Sequence, residues 1–157
     1  MHFYVMDKLN FPDYKFQFKS NENKTFVFDP LRKKWMVLTH EEWVRLHCVQ
    51  YLIQEKQYPA TFIAVEKQIT IFNTVKRFDV VIYQSNQNVS VLVECKAPRE
   101  RITQKTFDQI ARYNLKLKSN YLMVTNGMFH YFCRMDYDNQ KYTFIKSLPP
   151  FKSIKND

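Results

Sequence analysis

Two runs in the middle of the chain, Phe78-Asp79-Val80-Val81-Ile82-Tyr83 and Val89-Ser90-Val91-Leu92-Val93, are almost continuously apolar. A strand with one wet face alternates apolar and polar residues; a strand covered on both faces does not. Ser85-Asn86-Gln87-Asn88 lies between the runs and reads as a hairpin loop. The pair therefore predicts the centre of a sheet with helices on both faces, a layered α/β architecture.

The flanking sequence supplies those helices. Thr39 followed by Glu42 is a capping box that announces a helix start. Val44, Leu46, Val49, Leu52 and Ile53 then recur at helical spacing to about Lys56, and Tyr58-Pro59 ends the run. Residues 62–72 read as a strand before the hairpin. Thr103 is the predicted N-cap of a second helix over 103–118, with Ile110, Leu115 and Leu117 as apolar positions. Strands follow over 121–125, 129–135 and 142–145, with a turn at Asn126-Gly127. Before residue 39 the turn signals Ser20-Asn21-Glu22-Asn23 and Asp29-Pro30 separate short strands. The predicted organisation is a strand-rich N-terminal extension over 1–38, one α/β domain over 39–148 built on a mixed sheet, and a loose tail over 149–157.

Composition removes several functions. A single glycine, Gly127, excludes the glycine-rich loops that cradle nucleotide phosphates, so no nucleotide-driven motor is encoded here. Three widely spaced cysteines, Cys48, Cys95 and Cys133, make neither a zinc cluster nor a disulfide framework and fit a reducing compartment. No apolar stretch reaches the eighteen or so residues of a membrane span, and the N-terminus lacks a signal-peptide core. The expectation is a soluble cytoplasmic protein without a membrane partner. A formal net charge of +9 points to a polyanionic partner, nucleic acid being the commonest.

The second apolar run ends as Val91-Leu92-Val93-Glu94-Cys95-Lys96-Ala97-Pro98. Residues two apart on a strand share a face, so Glu94 and Lys96 point one way and Cys95 the other. Asp79 sits on the partner strand of the hairpin. Strands this apolar rarely admit two acids unless something satisfies their charge. Two carboxylates with a backbone carbonyl form a hard oxygen site suited to Mg²⁺ or Mn²⁺, and a neighbouring lysine can orient a water or stabilise charge on a phosphate.

Asp79 followed by Glu94-Cys95-Lys96, in a helix–strand–strand–strand–helix–strand frame, resembles the PD-(D/E)XK nuclease superfamily. Phe78 stands where the superfamily's name has proline. More narrowly, five segments resemble the N-terminal nuclease domain of the type I restriction enzyme R subunit. They are Glu41-Glu42-Trp43-Val44-Arg45, Lys76-Arg77-Phe78-Asp79, residues 93–98, Phe107 to Asn114, and Val124-Thr125-Asn126-Gly127. The resemblance spans residues 39–135 and leaves the first 38 outside it.

It implies a restriction-endonuclease-like αβββαβ core with a mixed central sheet flanked by helices. It implies Asp79 and Glu94 as ligands of Mg²⁺ or Mn²⁺, helped by the Cys95 carbonyl, and Lys96 as the catalytic lysine. A glutamate of the first helix often completes such sites, and Glu42 is chosen over Glu41 because it shares a face with Leu46, Val49 and Ile53. Gln109 and Tyr113, spaced i,i+4, are similar to the Q-x-x-x-Y motif of RecB-like branches, with Lys105 one turn earlier. Arg45, Arg77, Arg99, Arg101 and Arg112 are candidates for phosphate contacts.

The expected function is metal-dependent endonuclease action on DNA, with RNA as a variant. The helicase motor of the R subunit is missing, so separately encoded motor or specificity partners, or a homodimer that supplies a second site, are expected. The competing readings are a non-catalytic nucleic-acid-binding module and a structural domain that keeps the nuclease fold.

Overall fold

The computed structural model describes residues 6–154. A three-stranded antiparallel sheet comes first, made of β1 (Phe18–Asn21), β2 (Lys24–Asp29) and β3 (Lys34–Val37). Then follow α1 (His40–Gln54), β4 (Ile63–Ile71), β5 (Thr74–Tyr83), β6 (Val89–Cys95), α2 (Gln104–Leu117), β7 (Tyr121–Thr125), β8 (His130–Asp136) and β9 (Lys141–Ile145). A single helical turn, α3 (Phe151–Ile154), comes last.

The second sheet holds six strands in the order β4-β5-β6-β7-β8-β9. β6 and β7 pair in parallel and every other neighbour pairs antiparallel, so the sheet is mixed, as expected. Parallel neighbours cannot be joined by a tight turn, and α2 is the crossover between them. Thr103 caps α2 and Lys118, with φ of 55°, closes it in the left-handed region.

The two apolar runs lie at β5 and β6, and both of their faces are covered. Val80, Ile82, Val91 and Val93 pack with Val44, Cys48 and Leu52 of α1. Phe78, Val81 and Leu92 pack with Phe107 and Ile110 of α2. All three cysteines are buried and form no disulfide.

α1 is buried on nearly every side from Val44 to Val49. The reason is the extension, which forms a third layer over the helix. Trp43 donates from Nε1 to the Asp7 carbonyl at 3.0 Å, and Phe16 packs edge-on against Trp43 and His47.

The tail departs from expectation. Leu148 is fully buried, the Tyr58 hydroxyl donates to the Pro149 carbonyl at 2.7 Å, and the Phe151 N–H donates to the Lys56 carbonyl at 2.9 Å. Two apolar side chains find an apolar slot below α1, so the segment is anchored through Phe151 rather than loose. Residues 155–157 of the tail and 1–5 of the extension, His2 among them, lie outside the described residues.

Candidate active site

The hairpin register sets Val80 opposite Val93, so Asp79 and Glu94 are the next residues along their two strands. There the backbone ladder gives way to a side chain: the Cys95 N–H donates to Asp79 Oδ2 at 2.8 Å. β5 also twists at this point. Phe78 and Val80, two residues apart, belong to opposite core clusters. Glu66, which the register places across from Asp79, adopts a φ of 54°. The twist turns Asp79 out of the face alternation of an ideal strand and lets its carboxylate lie over the end of β6.

Lys96 Nζ stands 3.4 Å from Glu94 Oε1, so Glu94 and Lys96 share a face, as their spacing requires. The Lys96 N–H donates to the Thr125 carbonyl at 2.8 Å, which ties the end of β6 to the end of β7. Cys95 points the other way, into the α1 side of the core. Burial and the charge of Glu94 push the Asp79 carboxyl up to about 7, against the opposing pull of the Cys95 N–H and Arg45. Burial works against the charge of Lys96, but Glu94, Glu100 and Asp79 outweigh it and hold the ammonium above its ordinary range.

A layer of charged side chains backs Asp79. Arg45 is only 7% exposed, which removes it from the phosphate-contacting surface expected for it. Its guanidinium lies 2.6 Å from Glu42, 3.2 Å from Glu66, and 3.4 Å from both Glu41 and Asp79. Arg32, from the turn between β2 and β3, pairs with Asp29, Glu42 and Glu66. Glu42 is buried and faces inward, and its N–H donates to Thr39 Oγ1 at 3.0 Å at the helix cap. Its carboxylate is engaged by the two arginines, so it reaches Asp79 through Arg45 rather than beside Glu94.

α2 forms the other wall. Glu94, Lys96, Gln109 and Tyr113 line one small cleft of about 60 Å³, together with Lys76 and Thr106. Lys76 Nζ sits 5.3 Å from the Tyr113 ring centroid, within cation–π range. Lys105 is exposed and does not line this cleft; Thr106 takes the place on that stripe of the helix. Arg77, Arg99, Arg101 and Arg112 are exposed, with Arg99 and Arg101 in the loop that follows Lys96. Lys76, Glu66 and Arg32 had no part in the sequence reading of the site. Lys76 could have been found, since it stands two residues before Phe78 on a strand that leads into Asp79. Glu66 and Arg32 are distant in sequence and carry no local signal.

The donor set fits a divalent cation. Asp79 and Glu94 are hard oxygen donors side by side, and the raised Asp79 carboxyl records a repulsion that such a cation relieves. Among the described residues, no three His, Cys, Asp or Glu side chains gather into a ready-made metal cluster, consistent with Glu42 being held by arginines.

A six-stranded mixed sheet between α1 and α2, with an acid pair and a lysine where β5 and β6 part, defines a restriction-endonuclease-like α/β core. The family described as the N terminus of type I restriction enzyme R proteins matches residues 40–149, and the chain belongs to it. No curated protein matches the chain. A solved fragment described as an HsdR subunit of a type I restriction enzyme, from Vibrio vulnificus YJ016, has the same fold. It aligns with a TM-score of 0.53 at 18% identity, covering 76% of this chain and 26% of that one. This chain thus spans about a quarter of the length of the solved relative. Among the described residues, no helix is long and apolar enough to cross a membrane.

Proposed function

We infer that this domain hydrolyses DNA phosphodiester bonds in a divalent-metal-dependent reaction of the PD-(D/E)XK type. One observation carries the reading. A half-buried carboxyl, Asp79, and a second acid, Glu94, meet where two strands part, and Lys96 stands 3.4 Å from Glu94 in a cleft walled by α2. Pure binding has no use for an acid pair held at that energetic cost.

Asp79 and Glu94 would hold Mg²⁺ or Mn²⁺ in this reading, with the Cys95 carbonyl as a further oxygen. When bound, the ion would supply Lewis-acid charge for activating a water toward the phosphate. Lys96, held charged by its acidic neighbours, donates from Nζ to that water or to a non-bridging phosphate oxygen. Gln109 and Tyr113 offer donors from the α2 wall to the scissile phosphate or its base. Lys76 adds positive charge beside Tyr113. Arg77, Arg99, Arg101 and Arg112 meet phosphates farther along the strand. Cutting both strands of a duplex needs a second site, which a second copy of the domain would supply.

Cleavage of supercoiled plasmid and of single-stranded DNA and RNA, with Mg²⁺, Mn²⁺ or EDTA, tests this. Metal-dependent cutting of DNA, lost in both Glu94→Ala and Lys96→Ala, is the expected result. Cutting that survives both substitutions refutes the site. A non-catalytic binding module is the second reading, favoured by the engagement of Glu42 with Arg32 and Arg45. It requires DNA binding without Mn²⁺ affinity, which a calorimetric Mn²⁺ titration decides.

A further inference from the structure

The β4–β5 hairpin runs past its neighbour. β5 pairs with β6 from Val80 to Tyr83, whereas its pairing with β4 continues to Thr74 opposite Ile71. Residues 66–79 thus form a two-stranded arm rooted at Asp79. Ile69, Ile71 and Phe78 turn one face of the arm into the core on the α2 side. Gln68, Thr70, Val75 and Arg77 are all exposed.

Phe72 and Asn73 make the turn at the tip, with φ of 53° and 62°. Two positive values in a two-residue hairpin loop are the signature of a type I′ turn, which prefers Asn, Asp and Gly. Phenylalanine is strained there. Ten described residues other than glycine take a positive φ, and Phe72 alone of them is apolar. Its side chain is 66% exposed, more than any other large apolar one among the described residues, and Val75 is 62% exposed. Strain and an exposed ring both work against the fold, so this position points to a partner.

The surroundings identify the partner. From Lys67 to Phe78 the chain carries Lys67, Lys76 and Arg77 and no acid. Thr70, Asn73 and Thr74 add donors that suit phosphate oxygens. Lys76 also lines the cleft with Glu94 and Lys96, so the arm continues the surface of the acid pair. A two-stranded ribbon fits a groove of duplex DNA, and phenylalanine is among the apolar wedges that enter base steps.

We propose that the β4–β5 arm lies along a groove of duplex DNA and wedges Phe72 between base pairs, while Lys67, Lys76 and Arg77 meet flanking phosphates. This rests on DNA being the substrate of the acid pair, and it adds that the duplex is unstacked near the cut. From Thr74 to Asp79 the strand spans about 17 Å, or about five base-pair steps.

Fluorescence anisotropy of the full chain in EDTA tests it, with a short matched duplex and the same duplex carrying a central mismatch. A mismatch is already partly unstacked, so a wedge prefers it. Expected is about tenfold tighter binding of the mismatched duplex, lost in Phe72→Asn. Asparagine suits the turn, so that variant should unfold at a urea midpoint no lower than wild type; a lower midpoint would give Phe72 to the fold and overturn the wedge. Its salt slope should match wild type, whereas Arg77→Ala should lower the slope by about one phosphate contact and keep the mismatch preference. Equal binding of the two duplexes by wild type overturns the wedge, as does a preference that survives Phe72→Asn. A dimer in sedimentation that Phe72→Asn dissolves overturns it in favour of a protein partner. No step needs cleavage, so a chain that binds without cutting sinks the nuclease reading alone, and one that binds no DNA sinks both.

Discussion

Asp79→Asn should stabilise the fold most where the site is most needed. In the folded chain the Asp79 carboxyl ionises at about 7, against 3.8 as its ordinary value, chiefly because burial and Glu94 disfavour its charge. Between those two pH values the folded state holds a proton that the unfolded state has released. Stability contributed by that proton is therefore present at low pH and lost as pH rises through about 7. From pH 5 to the folded pKa the loss runs over about two pH units, or about 3 kcal/mol in all. Asparagine is neutral at every pH, nearly isosteric, and still accepts from the Cys95 N–H. Arg45 keeps Glu41, Glu42 and Glu66 as partners. The advantage of Asp79→Asn over wild type should thus grow by about 3 kcal/mol between pH 5 and pH 8. Urea unfolding of both proteins at the two pH values measures it, and groups common to both cancel in the difference. An advantage that stays constant, or shrinks with rising pH, would refute the claim that Asp79 is held in a charge-disfavouring place. The same variant should lose Mn²⁺ affinity, the stability–function opposition expected of a strained acid pair.

Arg45→Met keeps the side-chain stem but strips the cation from four carboxylates. It should cost about 3–5 kcal/mol in urea unfolding near neutral pH, as broken buried pairs do, with Glu42→Gln in the same chain recovering part of it; a cost below about 1 kcal/mol would show the network to be loose. Gly127→Ala should destabilise by about 1–3 kcal/mol, because φ is +87° and the added Cβ would meet Leu9 at 2.8 Å and Val44 at 3.1 Å; an unchanged urea midpoint would contradict this. Lys76→Ala should weaken DNA binding and lower its salt slope by about one phosphate contact, whereas exposed Lys105→Ala, outside the cleft, should do less; fluorescence anisotropy across a salt series separates the two, and the reverse order would place the DNA path elsewhere.

What was legible in the sequence followed from local rules. Near-continuous apolar runs fixed β5 and β6 as doubly covered strands, and both capping threonines, Thr39 and Thr103, stand where the helices start. The neighbourhood of Asp79, Glu94 and Lys96 was readable because a tight hairpin converts sequence distance into register. Strand alternation gave the shared face of Glu94 and Lys96 but failed at Asp79, where the twist with Glu66 puts Phe78 and Val80 on opposite sides. Arg45 was misplaced for a related reason. A helix covered on one side exposes its arginines, and nothing in residues 39–56 tells that the N-terminal extension covers α1 from behind. The docking of Leu148 and Phe151 escaped likewise, because Pro149-Pro150 reads as a chain end until the slot beneath α1 is seen.

The extension is therefore part of the site's electrostatics rather than an appendage. Arg32 is carried on the β2–β3 turn and held there by Asp29, whose Oδ1 also accepts from the Leu31 N–H at 2.8 Å. From that turn Arg32 reaches Glu42 and Glu66, the same two acids that Arg45 grips from α1. Two guanidiniums thus engage the acids behind Asp79, while Asp79 itself lies 3.4 Å from Arg45 and Glu94 lies 3.4 Å from Lys96. Take the extension away and Glu42 and Glu66 lose one of their two cations. Arg45 is then drawn further toward them and its hold on Asp79 weakens. Arg32 therefore braces Glu42 and Glu66 from a turn that lies outside the matched family segment, residues 40–149.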